Sequence, residues 1–447
     1  MPRCKLATDR PGCRGRRTPR LLGQLVSALA VAVAVVVPGP PGLFASTVPP
    51  TTSPPGSGWA VIQEPGAGGI AGLLRGVACA PSACVAVGTE LVGGQSDALV
   101  ELISLSAANP TVSPAEVVLP RGWSGASLSG IACVAARWCM AVGHGTFSGQ
   151  LHPLVVTGWG STWSVPASVS KLAAIVGSFE GVACTAIARC LTVGYLGQRH
   201  PWAASWSGDL WKASYTSVVT GELNGVSCAA ANQCVAVGNY DVAGALGTLL
   251  VIQSATGWHQ GAARTSGPGT AAAGLTSVSC PSNAPCLAVG EMGDNQPPVV
   301  LRQNAPTSPS LWAAAKWAQL PQPANPSGEP DTGLYGAWCW TTANCVAVGA
   351  LASSDVTSGG VPNEPQGGVI EQVSSTRCSA FEPPSITGSQ VGWYGTSSWP
   401  GGSVFLVVGQ ASWPLTGTTT TTAAGTAGQP VIVSGQLTIH QLWTKPC

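Results

Sequence analysis

Charge is scarce in this 447-residue chain: charged side chains are only 8% of it, with 19 Lys and Arg against 18 Asp and Glu. Polarity is supplied by Ser, Thr, Gln and Asn instead. So thin a charge provides no basic surface that could track phosphates, which excludes a nucleic-acid partner. Enzyme signatures are missing as well: there is no G-x-S-x-G, no G-x-x-x-x-G-K and no H-E-x-x-H. His152, His200, His259 and His440 are scattered without metal-ligand spacing, and no cysteine pair has the C-x2-C form of a zinc ribbon. No metal and no cofactor are expected.

What is present is a repeat. Gly76-Val-Ala-Cys-Ala-Pro-Ser-Ala-Cys-Val-Ala-Val-Gly88 sets two short apolar runs around a turn, with a cysteine at each inner edge. Copies follow at Cys133 and Cys139, Cys184 and Cys190, Cys228 and Cys234, Cys280 and Cys286, and Cys339 and Cys345. A seventh unit, Trp393 to Gly409, keeps the apolar rhythm without cysteines. Each copy predicts a tight β-hairpin. If Cys79 faces Cys84, then Val77, Cys79, Cys84 and Ala86 share one face, and Ala78, Val85 and Val87 the other. Both faces are apolar, so both must be covered.

The Cys-to-Cys steps are 54, 51, 44, 52 and 59 residues, room for four strands each. Small sheets repeated at that interval predict an all-β, seven-bladed β-propeller of four-stranded blades. Third and fourth strands carry tryptophans, as in Pro153–Trp159 followed by Trp163, and these are read as packing between blades. The last unit is short of an outer strand, while Trp59–Gln63 precedes the first hairpin with no partner. Trp59–Gln63 is therefore expected to close the ring beside Leu437–Trp443, removing an exposed edge.

The first 20 residues carry seven basic residues and one acid, followed by an apolar run from Leu21 to Val37 and small residues near Ala45. Residues 1–46 read as an export signal, or as an anchor if uncleaved. Residues 47–57 form a Pro/Thr/Ser linker and 58–447 the propeller. Without 1–46, 12 basic residues remain against 17 acidic ones, a net charge of −5. Export makes the twelve repeat cysteines six disulfides. Cys378 and Cys447 remain and are expected to pair with each other.

The pattern Val-Ser/Ala-Cys, four or five residues, Cys-Val-Ala-Val-Gly, with later Trp-x-Gly-x-x-Trp, resembles secreted bacterial disulfide-containing β-propeller repeat proteins. These are loosely grouped with sialidase-like and photosystem-assembly-factor-like propellers. The resemblance covers residues 59–447 and implies architecture, with little implied for activity. The sialidase Asp-box is not matched; Gly160-Ser-Thr-Trp163 echoes only its tail.

In a propeller the disulfide turns ring one face, and the loops after each final Gly open on the other. Those loops are expected to hold Glu90, His144, Tyr195, Asn239, Tyr240, Asp241, Glu291, Asp294 and Asp355, a polar and varied set suited to ligand binding. Glu90, Asp241, Glu291 and Asp294 are also the residue types for acid–base chemistry or calcium, with nothing in the sequence to fix their separation. The expected function is a non-catalytic binding module, secreted or at the cell surface, for a glycan or protein ligand. The alternatives are an extracellular carbohydrate-active enzyme, a hydrolase or lyase, and a purely structural envelope protein. A monomer is expected, with membrane contact only through an uncleaved N-terminal anchor.

Overall fold

The computed structural model describes residues 59–436, apart from short loop segments and the longer stretches 305–314, 322–331, 352–366 and 413–427. The described residues are almost wholly β-strand, and the strands form seven sheets of four or five strands, antiparallel except for two parallel edge pairs. Residues 1–58 and 437–447 lie outside the described residues, and with them the expected signal, the linker and Cys447.

The hairpins form as the cysteine spacing requires. Cys79 faces Cys84, Val77 faces Ala86 and Ala78 faces Val85 in the first sheet. Six disulfides join facing cysteines whose Cα atoms are 3.9 to 4.2 Å apart. Such linkages belong to an oxidising compartment. Among the described residues no helix is long and apolar enough to cross a membrane. Cys378 opens the last strand of the sixth sheet, Cys378–Phe381, and its expected partner lies outside the described residues.

The two apolar faces of each hairpin are buried in different seams. Val77, Cys84 and Ala86 pack with Leu406 and Val408 of the seventh sheet. Val85 and Val87 pack with Ala126, Leu128 and Ala141 of the second. Similar clusters join the second sheet to the third, the third to the fourth, the fourth to the fifth and the fifth to the sixth. This is the packing of a β-propeller, in which each sheet covers its neighbours. Each fully buried Val or Leu is worth about 1.5–3 kcal/mol relative to exposure, so the seams supply most of the fold's stability. The tryptophans serve them: Trp163, Trp317 and Trp393 are at most 1% exposed.

Trp59–Gln63 is the outermost strand of the seventh sheet. Its partner is Gly428–Gln436, antiparallel, with Trp59 opposite Gly435 and Val61 opposite Val433. The expected neighbour, Leu437–Trp443, lies outside the described residues, and the strand that pairs is the one before it. The shift arises because Pro430-Val-Ile-Val is not a short strand of its own: Gly428–Gln436 runs for 9 residues beside Val404–Ser412, and its far edge is what the N-terminal strand meets.

The innermost strands of the seven sheets surround one channel, whose two halves share a belt to which each contributes one residue, from Val77 in the first to Thr396 in the seventh. The disulfides lie toward one end.

Candidate functional site

At the end of the channel opposite the disulfides, the backbone does something the repeat does not advertise. In each innermost strand the register slips at one shared place, Leu74/Gly76 in the first sheet, Trp393/Gly395 in the seventh and the matching position in the other five; the second, third and fourth sheets carry a further slip elsewhere. A bulge leaves one residue outside the ladder and re-aims its side chain. The residues set free are Arg75, Ser129, Glu180, Asn224, Thr276, Tyr335 and Tyr394, and all seven line one cavity of 150 Å³.

The glycine that ends each repeat explains itself here. Gly88 lies against the bulge, and a methyl on it would overlap the Leu73 carbonyl oxygen. Gly143, Gly194, Gly238, Gly290, Gly349 and Gly409 stand in the same relation to their own inner strands. The glycine after the bulge makes a second close approach, this time between sheets. A methyl on Gly395 would be 2.9 Å from the Arg75 carbonyl oxygen and 3.1 Å from the Gly76 Cα.

Some bulge side chains tie the mouth together. Asn224 Nδ2 donates to the Leu275 carbonyl at 2.8 Å, and Thr276 Oγ1 donates to that of Leu334. Tyr335 and Tyr394 stack across the seam of the sixth and seventh sheets. Burial raises the pKa of both phenols; Glu291 adds to the effect on Tyr335, while Arg75 counters it on Tyr394. Arg75 is exposed, and its guanidinium also reinforces the lowering that burial imposes on His144.

Those of the expected binding residues that the structure describes are not in loops. Each strand continues beyond its glycine, so Glu90 belongs to Cys84–Val92, His144 to Cys139–Phe147, Tyr195 to Arg189–Leu196 and Glu291 to Leu287–Met292. Asn239, Tyr240 and Asp241 lie on Gln233–Val242. A glycine tolerated in a strand by a facing bulge does not end it, which is why the spacing misled. The end of the molecule is nevertheless the expected one, opposite the disulfides.

The structure brings several of these residues together. His144 Nδ1 is 3.3 Å from Ser178 Oγ of the next sheet. Arg199 sits over the Tyr195 ring at 5.4 Å and pairs with Glu222 at 3.4 Å, and Asn239 Nδ2 donates to Glu222 at 3.3 Å. Tyr195 and Asn239 thus join one network through two residues that the sequence did not single out. Burial raises the Tyr195 pKa, helped by Glu180 and Glu222 and opposed by Arg199. Glu291 is open to solvent on one side, yet burial of the rest raises its pKa.

Others go elsewhere. Glu90 faces Asp97 across its own hairpin, and burial and that carboxylate raise its pKa. Tyr240 packs against the core between the third and fourth sheets. Asp241 is exposed and its backbone N–H is held by the Thr220 carbonyl. Asp294 and Asp355 lie outside the described residues. Among the described residues no group of His, Cys, Asp and Glu could hold a metal ion.

No protein-family model matches the chain. No curated protein matches it either. Among solved structures it is similar to YCF48 from Cyanidioschyzon merolae, with 11% identity, a TM-score of 0.49, and coverage of 85% of this chain and 99% of that one. The Malassezia sympodialis allergen Mala s 1 gives 12% identity and 0.39, over 60% of this chain and 84% of that one. A Trypanosoma rangeli sialidase in complex with sialic acid gives 9% and 0.44, over 85% of this chain and 59% of that one.

Proposed function

We propose that this protein is a secreted or surface-exposed seven-bladed propeller, its ring closed by Trp59–Gln63, whose polar channel mouth binds a glycan or protein ligand without chemical turnover. One observation carries the reading: seven sheets with one backbone plan deliver seven side chains of six kinds to a single opening. Packing does not need Arg75, Ser129, Glu180 and Tyr394 to differ, whereas recognition of an irregular partner does. A cavity of 150 Å³ admits one protruding group, a side chain or a terminal sugar, while Arg75 and Glu180 in its lining offer charge of both signs.

A glycan array and a pull-down from extracellular fluid, both with the oxidised 58–447 chain, supply the ligand. Arg75→Ala and Glu180→Ala should each then weaken binding at least tenfold with the melting temperature unchanged. Substitutions in the turn 80–83, at the opposite end, should have no effect. Loss of binding through the turn, with both mouth variants intact, would place the ligand at the wrong end for this reading.

A further inference from the structure

Beyond that shared belt the channel changes character. Toward the disulfides it opens to 740 Å³, well within the range of about 300–1,000 Å³ usual for small-molecule sites. None of the described residues lining it carries a charge. At the ring position just before the first cysteine, the first five sheets place Ala or Ser, as in Ala78, Ala183 and Ser227, but the sixth places Trp338. Trp338 Nε1 already donates to Ser398 Oγ at 2.8 Å, so the indole has only its ring face left to offer. Trp340 beside it is held against Phe405, ring centroids 4.7 Å apart. On the neighbouring fourth and fifth sheets, Ser227 Oγ accepts the Cys280 N–H and Ser279 Oγ the Cys339 N–H, both at 2.9 Å. Each hydroxyl is thereby fixed in place and keeps its own proton to donate.

We propose that this half of the channel is a second ligand site, distinct from the polar mouth, for an uncharged small molecule with a flat apolar face. The face lies on Trp338, and an acceptor oxygen takes a proton from Ser227 or Ser279. An ionised ligand would leave water for a lining with no counter-charge, which is strongly unfavourable. A neutral one loses little hydration and meets a wall that six disulfides have already made rigid, so little ordering remains to be done on binding.

The test uses the oxidised 58–447 chain and two naphthalene dyes: the neutral ketone prodan and the anionic 1-anilinonaphthalene-8-sulfonate. Dye emission and energy transfer from tryptophan report binding. Prodan should bind saturably, one per chain, and at least tenfold more tightly than the sulfonate. Ala183→Trp, which fills the cavity from the third sheet, should weaken prodan at least tenfold. Trp338→Ala should do so severalfold, and Trp338→Phe should restore most of the loss. Each variant is checked for its melting temperature and full disulfide count; if Ala183→Trp fails to fold, Ala78→Leu makes the same test from the first sheet. Arg75→Ala, at the polar mouth, should leave prodan binding unchanged, so this site and the polar-mouth reading stand or fall separately. Absence of saturable binding, equal affinity for the sulfonate, or undiminished binding to a folded, filled variant would overturn the proposal.

Discussion

Tyr335 and Tyr394 stack with their ring centroids 5.3 Å apart, each the bulge residue of its own sheet. The contact joins two blades by side chains that the strand ladder has released, and Arg75 completes the group from the first sheet through its field at Tyr394.

Arg75 lowers the pKa of both Tyr394 and His144, so Arg75→Ala should raise both. NMR titration of His144 and ultraviolet titration of the tyrosines would read the two shifts. If neither moved, Arg75 would have to point away from the mouth.

The seven repeat-ending glycines should not tolerate a methyl. Gly88→Ala forces Cβ into the Leu73 carbonyl, and the backbone there is pinned by a bulge and a ladder. Denaturant unfolding should show a loss of about 3 kcal/mol, the upper end of overpacking costs. A near-neutral variant would mean that the bulge can relax.

Glu371 predicts how stability changes with pH. It is 2% exposed on the third strand of the sixth sheet, opposite Ala347, and its Oε2 has no hydrogen-bond partner among the described residues. Burial raises its pKa to about 7 from 4.5. The folded state therefore binds the proton more tightly than the unfolded chain, so stability falls as pH rises between those values and stays low above them. The difference is of the order of 3 kcal/mol at most. Glu371→Gln should flatten this dependence and be more stable than the parent at pH 8; a parent with no slope between pH 4.5 and 7 would contradict the assignment.

Removing Trp59–Gln63 strips the outer strand from the seventh sheet and exposes the edge of Gly428–Gln436. Light scattering should show oligomers and the melting temperature should drop, because an open edge recruits other strands. A monomeric deletion of unchanged stability would show that the strand contributes nothing.

The Cys79–Cys84 disulfide closes a short loop, for which the chain-entropy model gives about 2 kcal/mol. Replacing both cysteines with serine should lower stability by that amount without unfolding the chain, since the ladder from Ala71 to Cys79 remains.

The fold was legible because its signal is periodic and apolar. Cysteines facing across a turn fixed the faces of the first hairpin, and the seams of Val77 and Val85 follow from that alone. The end of the channel that carries the polar residues was legible too. Its central residues were not, because a bulge is a property of backbone register and leaves little trace in composition. One trace did exist. Arg75, Ser129, Glu180, Asn224, Tyr335 and Tyr394 each precede a glycine set three residues before the first cysteine or its counterpart, and Thr276 precedes Ser277 there. A position that varies among polar types inside an otherwise monotonous apolar repeat is where a side chain has left the core. The residues after each repeat's last glycine, which the spacing marks as loops, continue the strands.

The bulge also sets how such a molecule can change its preferences. In many scaffolds a new partner demands loops of new length and shape, each of which must be ordered again. Here the opening is lined by one bulged residue per strand, so on the proposed reading a preference changes one codon at a time, except where Asn224, Thr276 and the Tyr335–Tyr394 pair also tie neighbouring sheets together. Copying a blade duplicates the frame and leaves a blank address on it, to be filled independently of the other six.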